Sequence, residues 1–383
     1  MKKVKVLVKA DTMNMGGLEN QLMHLLRKSD KNQFQIDFVC GNPNAYYRDE
    51  IEALGGKFYA IPRMNWRWPF PYCKALYQIM KDGNYDVVHS NELFHSGIVM
   101  KIAKAAGVKV RIVHSHSFSD SDGINSKRSF LRTVYNAIMQ RWILKYSTVQ
   151  IACATTAGVF LFGEKCTHRE SFHLIYNSID TTKYIEKYNQ IEKGEFCDDG
   201  WINILHVGRV YPVKQQLFDV DISEKFKEKG KKIRILCAGN AFDEDYMEQI
   251  QTRIKERDLQ EHMIMLGSRD DVDVLFRKSS VAILPSVYEG MPLVLIEAQA
   301  SGLHCVVADT FSREVDFDIK LVTWMDKKAS AEEWSDAIER SAHLKKANEE
   351  DVKGSIREKG FDSRIFADKI CEIYLDSLEG EKK

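Results

Sequence analysis

Short apolar runs alternate with helical patterns along almost the whole chain, and this alternation limits the fold more than any other feature of the sequence. A helical pattern such as Leu18–Arg27 places its leucines on one face, so it can pack against a sheet. Nearly all-apolar runs are typical of parallel strands that are covered by helices on both sides. The runs that predict strands are Val4–Val8, Phe34–Cys40, Asp86–His89, Val108–Val113, Thr148–Cys153, His173–Tyr176, Ile202–Val207, Ile233–Ala238, Met263–Leu266, Ser280–Leu284, Cys305–Ala308 and Leu321–Trp324. The sequence therefore predicts an α/β protein with two Rossmann-like, doubly wound parallel-sheet domains.

A polar stretch near the middle of the chain divides this pattern. Asp180–Trp201 contains no strand-like run, so we place a linker at 181–200, between domains at 1–180 and 201–361. An amphipathic pattern over 362–383 predicts a last helix that packs back on the first domain. Ligands of open α/β sheets bind outside the carboxyl ends of the strands, so two such domains predict a binding cleft between them.

Composition excludes several classes of protein. The chain of 383 residues is 44% hydrophobic and 29% charged, as in ordinary globular proteins, and no stretch approaches the ~18 apolar residues of a membrane-spanning helix. The N-terminus mixes lysines into a short apolar run, which is typical of a strand and not of a signal peptide. These features predict a cytoplasmic protein.

Charge is unevenly distributed although it sums to zero. Residues 1–180 hold 24 basic and 15 acidic side chains, whereas 181–383 hold 31 basic and 40 acidic ones. A basic first half indicates an anionic partner, such as a membrane or an anionic substrate.

The eight cysteines do not form a metal-binding pattern. No pair has C-x-x-C spacing, and several lie in apolar runs, so free, buried thiols are expected. We expect neither a metal ion nor another cofactor.

The segment Pro285–Gly302, PSVYEGMPLVLIEAQASG, carries the most specific chemical signal. A strand ends at Pro285, a loop carries Glu289, and Pro292 suits the first turn of an apolar helix. The free N–H groups at that helix N-terminus, with Leu293 and Val294 as the best candidates, would form an anion site. Glu297 is the only charged side chain in the helix and requires a hydrogen-bonding partner if it is buried.

This segment resembles the E-x7-E signature of glycosyltransferase family 4, the retaining enzymes of GT-B fold. The resemblance extends over nearly the whole chain and is strongest to bacterial transferases of exopolysaccharide and capsule synthesis, the EpsF-like type. It implies that Glu289 lies near the donor sugar and that Glu297 holds the nucleotide ribose. The residues that we predict to bind the donor in this segment also include Gly290, Met291, Pro292, Leu293 and Val294.

A second motif, His206–Lys214 (HVGRVYPVK), follows the first strand of the second domain. Gly208 permits close approach of a ligand to the backbone, and Arg209 and Lys214 can both reach an anion. The resemblance implies that these two cations bind the donor diphosphate. Surface ion pairs are the alternative interpretation of the same residues.

Two segments of the first domain complete the predicted site. Gly16 and Gly17 stand at a helix N-terminus, where backbone can approach a phosphate or a sugar, although a tight turn explains them equally well. His116 follows a strand and matches a family histidine near the reacting sugar, whereas a structural histidine is the alternative. His89 and Asn91 end another strand on the same edge and either line the acceptor side or cap a helix.

Some matches to the family are partial. Ser178 stands where the family has glycine, and Asn240 and Ala241 depart from a glycine-rich loop, so the part that Asn240 plays in donor binding stays open. Arg269, in LGSRDDV, matches the segment that lies near the nucleotide base.

Basic and aromatic side chains concentrate in 61–74 and 126–146. The second segment contains Lys127, Arg128, Arg132, Arg141 and Lys145, with Asp120 and Asp122 shortly before it. Such surfaces suit the membrane interface, and the family's acceptor is often a lipid-linked sugar, so we predict peripheral contact with the inner face of an anionic membrane. Ordinary helices with long cationic side chains are the alternative, and no nucleic-acid motif is present.

These features predict a glycosyltransferase, and the resemblance implies that it retains the anomeric configuration and needs no metal ion. It would move a hexose or N-acetylhexosamine from a nucleotide sugar, most simply a UDP-sugar, to a glycan or lipid-linked saccharide. Two alternatives remain open at this point: a nucleotide-sugar epimerase of GT-B fold, and a non-catalytic GT-B subunit that supports a partner transferase.

Overall fold

A computed structural model describes residues 3–65, 67–116, 130–185, 195–197, 199–289, 291–310 and 312–380. The chain divides into two compact units: unit 1 is 1–178 with 362–383, and unit 2 is 179–361. The segment 181–200 therefore falls within unit 2, although 186–194 and 198 lie outside the described residues.

Unit 1 is built on a parallel sheet of seven strands in the order β3-β2-β1-β4-β5-β6-β7. With labels in chain order, its strands are β1 Val4–Lys9, β2 Phe34–Cys40, β3 Phe58–Ala60, β4 Val87–Ser90, β5 Val110–Ser115, β6 Val149–Ala152 and β7 Phe172–Leu174. Its helices are α1 Gly17–Lys28, α2 Arg48–Ala53, α3 Phe70–Gly83, α4 Ser96–Ala106, α5 Phe130–Tyr146, α6 Thr155–Phe162 and the last helix, α14 Ser363–Gly380.

Unit 2 repeats the design with six parallel strands in the order β10-β9-β8-β11-β12-β13. Its strands are β8 Ile202–Val207, β9 Ile233–Ala238, β10 Met263–Gly267, β11 Val281–Leu284, β12 His304–Ala308 and β13 Val322–Met325. Its helices are α7 Thr181–Ile185, α8 Gln216–Glu228, α9 Glu244–Glu256, α10 Val272–Lys278, α11 Leu293–Ala300, α12 Ala331–Ala342 and α13 Glu349–Lys359.

The prediction of two doubly wound parallel sheets is confirmed, and every predicted strand is present within two residues at each end. β3 was not predicted. It has three residues at the sheet edge, two half-buried and one exposed, so it lacks the apolar run that burial imposes on the inner strands.

Helix α14 belongs to the core of unit 1. Phe366, Ile370 and Tyr374 are buried in one cluster with Leu22 and other residues of α1 and of the sheet. The amphipathic pattern at the end of the chain thus covers one face of the first sheet, as the sequence indicates.

The cysteines are all free thiols, as expected, and six of the eight are buried. Among the described residues, no helix is both long enough and apolar enough to cross a membrane.

Candidate functional site

The strand order creates a switch point in each sheet, and the sequence motifs follow the strands on either side of it. In unit 2, chain connections diverge from the neighbouring strands β8 and β11. The segment with Arg209 and Lys214 follows β8, and the segment with Glu289 follows β11. A switch point at the carboxyl edge of a parallel sheet is the usual place for a ligand in this architecture.

A salt bridge joins the two motifs of unit 2. Lys214 Nζ contacts Glu289 Oε1, and the Ser286 hydroxyl donates to the same oxygen at 2.8 Å. The side chains of Lys214 and Glu289 are 20% and 15% exposed, so solvent still reaches both. A backbone bond from Val287 N to Val213 O, 2.9 Å long, fixes the same two segments. Residues 75 positions apart therefore form one polar cluster.

Close backbone packing supports the segment after β8. Gly239 has a φ of +154°, and a Cβ placed on it would lie 2.0 Å from the carbonyl oxygen of Gly208. Gly208 in turn lies against the aliphatic stem of Lys214, whose carbons would be 3.4 Å from a Cβ at that position. Arg209 is exposed and its guanidinium lies 4.7 Å from the ring centre of Phe242, a cation–π distance.

Helix α11 begins at Leu293, as predicted, with Pro292 in extended conformation at its N-cap. Met291 and Pro292 are buried, whereas Leu293 and Val294 are half-buried. Within the described residues no side chain caps this N-terminus, so its first N–H groups are available to an anion. Gly290 lies outside the described residues.

Glu297 is half-buried and has a hydrogen-bonding partner in Tyr184. Burial raises the pKa of Glu297, and a hydrogen bond from the Tyr184 hydroxyl opposes that rise. Burial also raises the pKa of Tyr184, so Tyr184 remains a protonated donor. Tyr184 lies on α7, in the stretch predicted as linker, and no sequence pattern linked it to Glu297.

Arg269 and Asn240 have contacts of their own. The Arg269 guanidinium donates to both oxygens of Asp271, at 2.8 and 2.7 Å, and this pairing lowers the pKa of the Asp271 carboxyl. Asn240 is exposed, and its carbonyl oxygen accepts a 2.9 Å bond from Val210 N. Within the described residues, neither side chain forms a hydrogen bond or an ion pair with Lys214 or Glu289.

A buried pair beneath the β8 motif was missed from the sequence. His206 Nδ1 lies 2.5 Å from Asp219 Oδ2, and both side chains are almost fully buried. Cys237 Sγ is 3.9 Å from the same oxygen. The three could form part of a metal site by residue type, but the short His–Asp contact is a hydrogen bond that ties β8 to α8. Burial raises the pKa values of Asp219 and Cys237.

In unit 1 the predicted glycines stand where expected. Gly16 is the N-cap of α1, in extended conformation, and Gly17 is its first residue. A side chain at Gly16 would meet only the flexible end of Glu19, whose carboxylate accepts a 2.8 Å bond from Thr12. The local backbone therefore does not require glycine at 16.

His116 is held by two asparagines at the carboxyl edge of the same sheet. Its Nδ1 lies 3.2 Å from Asn177 Oδ1, and its Nε2 lies 3.1 Å from Asn91 Oδ1. Both partner atoms are amide oxygens, which accept hydrogen bonds, so a neutral imidazole can donate to only one of them. Burial lowers the pKa of His116 to about 4, so the ring is neutral near pH 7.

Two more histidines lie behind His116. The rings of His114 and His116 are 3.8 Å apart, and His89 Nε2 lies 3.3 Å from His114 Nδ1. His89 Nδ1 contacts the hydroxyl of Tyr374 on α14 at 2.7 Å. Both His89 and His114 are buried within the sheet, and burial lowers their pKa values, to about 3 for His89. Neither is a helix cap.

A buried ion pair at the switch point of unit 1 was also missed. Lys9, at the end of β1, is 2% exposed and pairs with Glu92, which follows β4. Lys9 Nζ also donates to Ala10 O at 2.8 Å, and Tyr72 lies beside Glu92. The signal available in the sequence was a lysine inside an apolar strand, which needs a partner if it is buried.

Comparison with known proteins places these motifs in a family. Residues 15–183 match the family described as glycosyltransferase family 4, and residues 189–355 match glycosyl transferases group 1. A Bacillus subtilis protein that carries the glycosyltransferase name EpsF is 31% identical over 96% of this chain and 95% of its own length. The capsular polysaccharide biosynthesis glycosyltransferase CapH of Staphylococcus aureus is 25% identical over 97% of this chain and 99% of its own length.

Solved structures share the fold. The Anabaena protein HepE, in complex with UDP-glucose, superposes with a TM-score of 0.75 at 16% identity, over 97% of this chain and 99% of its own. With a full-length relative above 30% identity and family matches on both units, the chain belongs to the family 4 glycosyltransferases of GT-B fold, whose relatives serve polysaccharide biosynthesis.

Proposed function

We propose that this protein transfers a hexose or N-acetylhexosamine from a UDP-sugar to a glycan or lipid-linked saccharide, with retention of the anomeric configuration and without a metal ion. The observation that carries the proposal is the salt bridge between Lys214 and Glu289 at the switch point of unit 2. It joins the diphosphate-type motif to the E-x7-E motif, in the part of the sheet where a nucleotide would bind.

In unit 2, positive charge would stabilise the leaving diphosphate. Arg209 and Lys214 each supply a cation after β8, and the uncapped N-terminus of α11 supplies oriented N–H groups. Such preorganised donors act where negative charge develops as the sugar–phosphate bond breaks. Because these groups already supply positive charge, the proposed reaction needs no metal ion.

The two glutamates would serve different parts of the donor. Glu289 is oriented by Lys214 and Ser286 and remains partly exposed, so its carboxylate can accept hydrogen bonds from sugar hydroxyls. Glu297 is oriented by Tyr184 and would accept from the ribose hydroxyls. A UDP-sugar is favoured because HepE, a protein of the same fold, was solved with UDP-glucose.

Unit 1 would bind the acceptor. His116 is a neutral imidazole between two asparagines at the carboxyl edge of the sheet, the same edge at which β1 leads into the glycine-containing start of α1. On this proposal it forms a hydrogen bond near the reacting sugar and carries no charge at neutral pH.

Calorimetric binding of UDP, uridine and a panel of UDP- and GDP-sugars tests the donor site. Lys214→Ala should weaken the binding of UDP by at least about tenfold and leave the binding of uridine unchanged, because only the diphosphate loses a charge-assisted hydrogen bond. Lys225→Ala is the matched control, since it removes a lysine from an exposed ion pair of the same unit. It should bind UDP as the wild type does.

Transfer is measured with the sugar nucleotide that binds best, in the presence and absence of EDTA. The proposal predicts an EDTA-resistant product whose anomeric configuration, read by proton NMR, matches the donor. If the donor changes without an acceptor, the protein is an epimerase. If no nucleotide sugar binds, the donor site is inactive, and a non-catalytic supporting subunit becomes the better description.

A further inference from the structure

An exposed aromatic ring lies beside the proposed diphosphate-binding arginine of unit 2. Phe242, in the loop that follows β9, is 61% exposed. Among the described residues of unit 2, it is the only phenylalanine, tyrosine or tryptophan whose side chain is mostly exposed. The Arg209 guanidinium lies 4.7 Å from the centre of its ring. Single exposed apolar residues are ordinary, but this one follows a strand at the carboxyl edge of the sheet, where ligands bind.

Backbone contacts hold the loop that carries this ring. Val210 N donates to Asn240 O at 2.9 Å, and Val210 O accepts bonds from Phe242 N and Asp243 N at 3.1 and 3.3 Å. The Asp243 side chain accepts a 3.0 Å bond from Tyr246 N and thereby caps α9. The segments after β8 and β9 are therefore tied to each other on both sides of the ring. A ligand that packs on Phe242 would not have to order this loop first.

Neighbouring side chains leave one face of the ring open. The Arg209 guanidinium lies over one face, and the Tyr211 ring meets Phe242 nearly at right angles, with the ring centres 5.4 Å apart. Because 61% of the side chain is exposed although one face is covered, most of the other face must be open. The buried Gln216 side chain holds the same segment, since it donates to Arg209 O at 3.1 Å and accepts from Tyr211 N at 3.4 Å. These contacts produce a flat apolar surface beside a cation.

We propose that Phe242 forms a platform on which the base of the nucleotide donor stacks. A nucleoside diphosphate carries its planar base one ribose away from its phosphates, so a site that binds the diphosphate at Arg209 and Lys214 needs a surface for the base nearby. A phenyl ring offers that surface, because aromatic rings attract each other in offset-stacked arrangements. Stacking tolerates every base, so the platform adds affinity for the nucleoside without choosing between bases. This inference deepens the proposed function and rests on it.

The strand order leaves room for the base on this side of the sheet. In the order β10-β9-β8-β11, the strands β9 and β10 lie on the side of β8 away from β11. Gly239 N bonds to Gly267 O at 2.8 Å, so the loop with Phe242 begins between the segments that follow β8 and β10. Glu289, which would face the sugar, follows β11 on the other side of β8. The sugar and the base of the donor would thus extend to opposite sides of Arg209.

Binding of UDP, uridine and pyrophosphate to the full chain tests the proposal. Phe242→Ala should weaken the binding of UDP and of uridine by the same factor, at least about fivefold, and leave pyrophosphate binding unchanged, because only the base loses a contact. Lys214→Ala should do the reverse and weaken UDP but not uridine. Leu344→Ala is the matched control, since Leu344 is an apolar residue of unit 2 that is 54% exposed. This control should bind all three ligands as the wild type does.

Phe242→Trp gives a spectroscopic test of the same contact. Its larger ring should bind UDP and uridine at least as tightly as the wild type does. Both ligands at saturation should quench, to the same extent, the fluorescence that this variant gains over the wild type, because the base lies on the new indole ring. Pyrophosphate should not quench it.

Several results would overturn the inference. A loss of UDP and pyrophosphate binding without a loss of uridine binding would mean that the ring acts only through Arg209. A loss confined to UDP-sugars would assign the ring to the hexose. A wild type that binds neither UDP nor uridine would overturn the proposed function as well. A wild type that binds both, with Phe242→Ala binding them equally well, would overturn this inference alone.

Discussion

The close approach of Gly239 to Gly208 predicts that unit 2 cannot accept a Cβ at 239. Gly239→Ala would place that atom 2.0 Å from a backbone oxygen, and its φ of +154° is one that L side chains rarely adopt. No rotamer change can relieve the contact, because the backbone fixes the position of the Cβ and the other atom is a backbone oxygen. Gly208 N bonds to Ala238 O at 2.9 Å and Gly239 N to Gly267 O at 2.8 Å, so movement must break one of these bonds.

The expected cost follows from these two effects. An L residue in this region of φ costs about 1–3 kcal/mol. Loss of a buried backbone hydrogen bond adds about 1–1.5 kcal/mol. Gly239→Ala should therefore lower the free energy of unfolding by about 3 kcal/mol. Gly230→Ala is the control: its φ is +62° and no atom lies within 4 Å of the new Cβ, so the cost is only about 1–2 kcal/mol.

Differential scanning calorimetry measures the difference. For a unit of this size, about 3 kcal/mol corresponds to a melting temperature lower by roughly 6–12 °C, against roughly 2–8 °C for the control. Gly239→Ala should also weaken UDP binding, because a shift of Gly208 would displace the next residue, Arg209. Gly230→Ala should leave UDP binding unchanged. Equal melting temperatures for the two variants would refute the reasoning, since they would mean that the backbone contact is not rigid.

Three further predictions concern buried polar groups. In acid, the folded protein keeps His116 and His89 neutral down to about pH 4 and 3, whereas the unfolded chain protonates them near 6.5. The unfolded state then binds more protons, so the free energy of unfolding should fall by about 1.4 kcal/mol per pH unit and per histidine as the pH drops below 6.5. For each histidine the fall ends at its pKa in the folded protein. Urea unfolding at several pH values measures this, and a free energy of unfolding that does not change with pH would contradict it. Tyr184→Phe removes the hydroxyl that donates to Glu297 and should lower the free energy of unfolding by about 1–2 kcal/mol. It should also weaken the binding of UDP more than that of uracil. Unchanged UDP binding would argue that Glu297 does not bind the ribose. Lys9→Met leaves Glu92 buried without its cation and should lower the free energy of unfolding, measured in urea, by about 3–5 kcal/mol. Lys9→Met combined with Glu92→Leu should lower it less, because no unpaired charge is then buried. A double variant that is no more stable than the single one would argue against this explanation.

The fold was predictable because burial on both sides leaves a clear record in the sequence. Strands such as Val281–Leu284 are completely buried and consist of one continuous apolar run. The edge strand Phe58–Ala60 is short and partly exposed, so no such run marks it. β1 extends to Lys9, one residue beyond the predicted apolar run, because the buried lysine is neutralised by Glu92, which follows β4.

The candidate site was predictable where topology alone decides the position of a residue. Any residue just after β8 or β11 must lie at the carboxyl edge of one sheet, so the convergence of Lys214 and Glu289 follows from strand order. Tyr184 could not be placed in this way, because it lies on a five-residue helix in a polar stretch and meets Glu297 only through tertiary packing. The same holds for Asp219, which reaches His206 across the layer between helix and sheet.

The salt bridge between Lys214 and Glu289 also bears on the order of events at the donor site. In the protein without ligand, each charge neutralises the other, and the pair is still partly exposed to water. An entering diphosphate brings negative charge towards Lys214 and thus towards Glu289 as well, so repulsion from the carboxylate offsets part of the attraction that Lys214 provides. Arg209 and the N-terminus of α11 have no carboxylate partner in the described residues and must supply the remaining attraction. Lys214 is then the residue that links diphosphate binding to the position of Glu289, because any shift of its ammonium group towards phosphate changes the contact that orients the carboxylate.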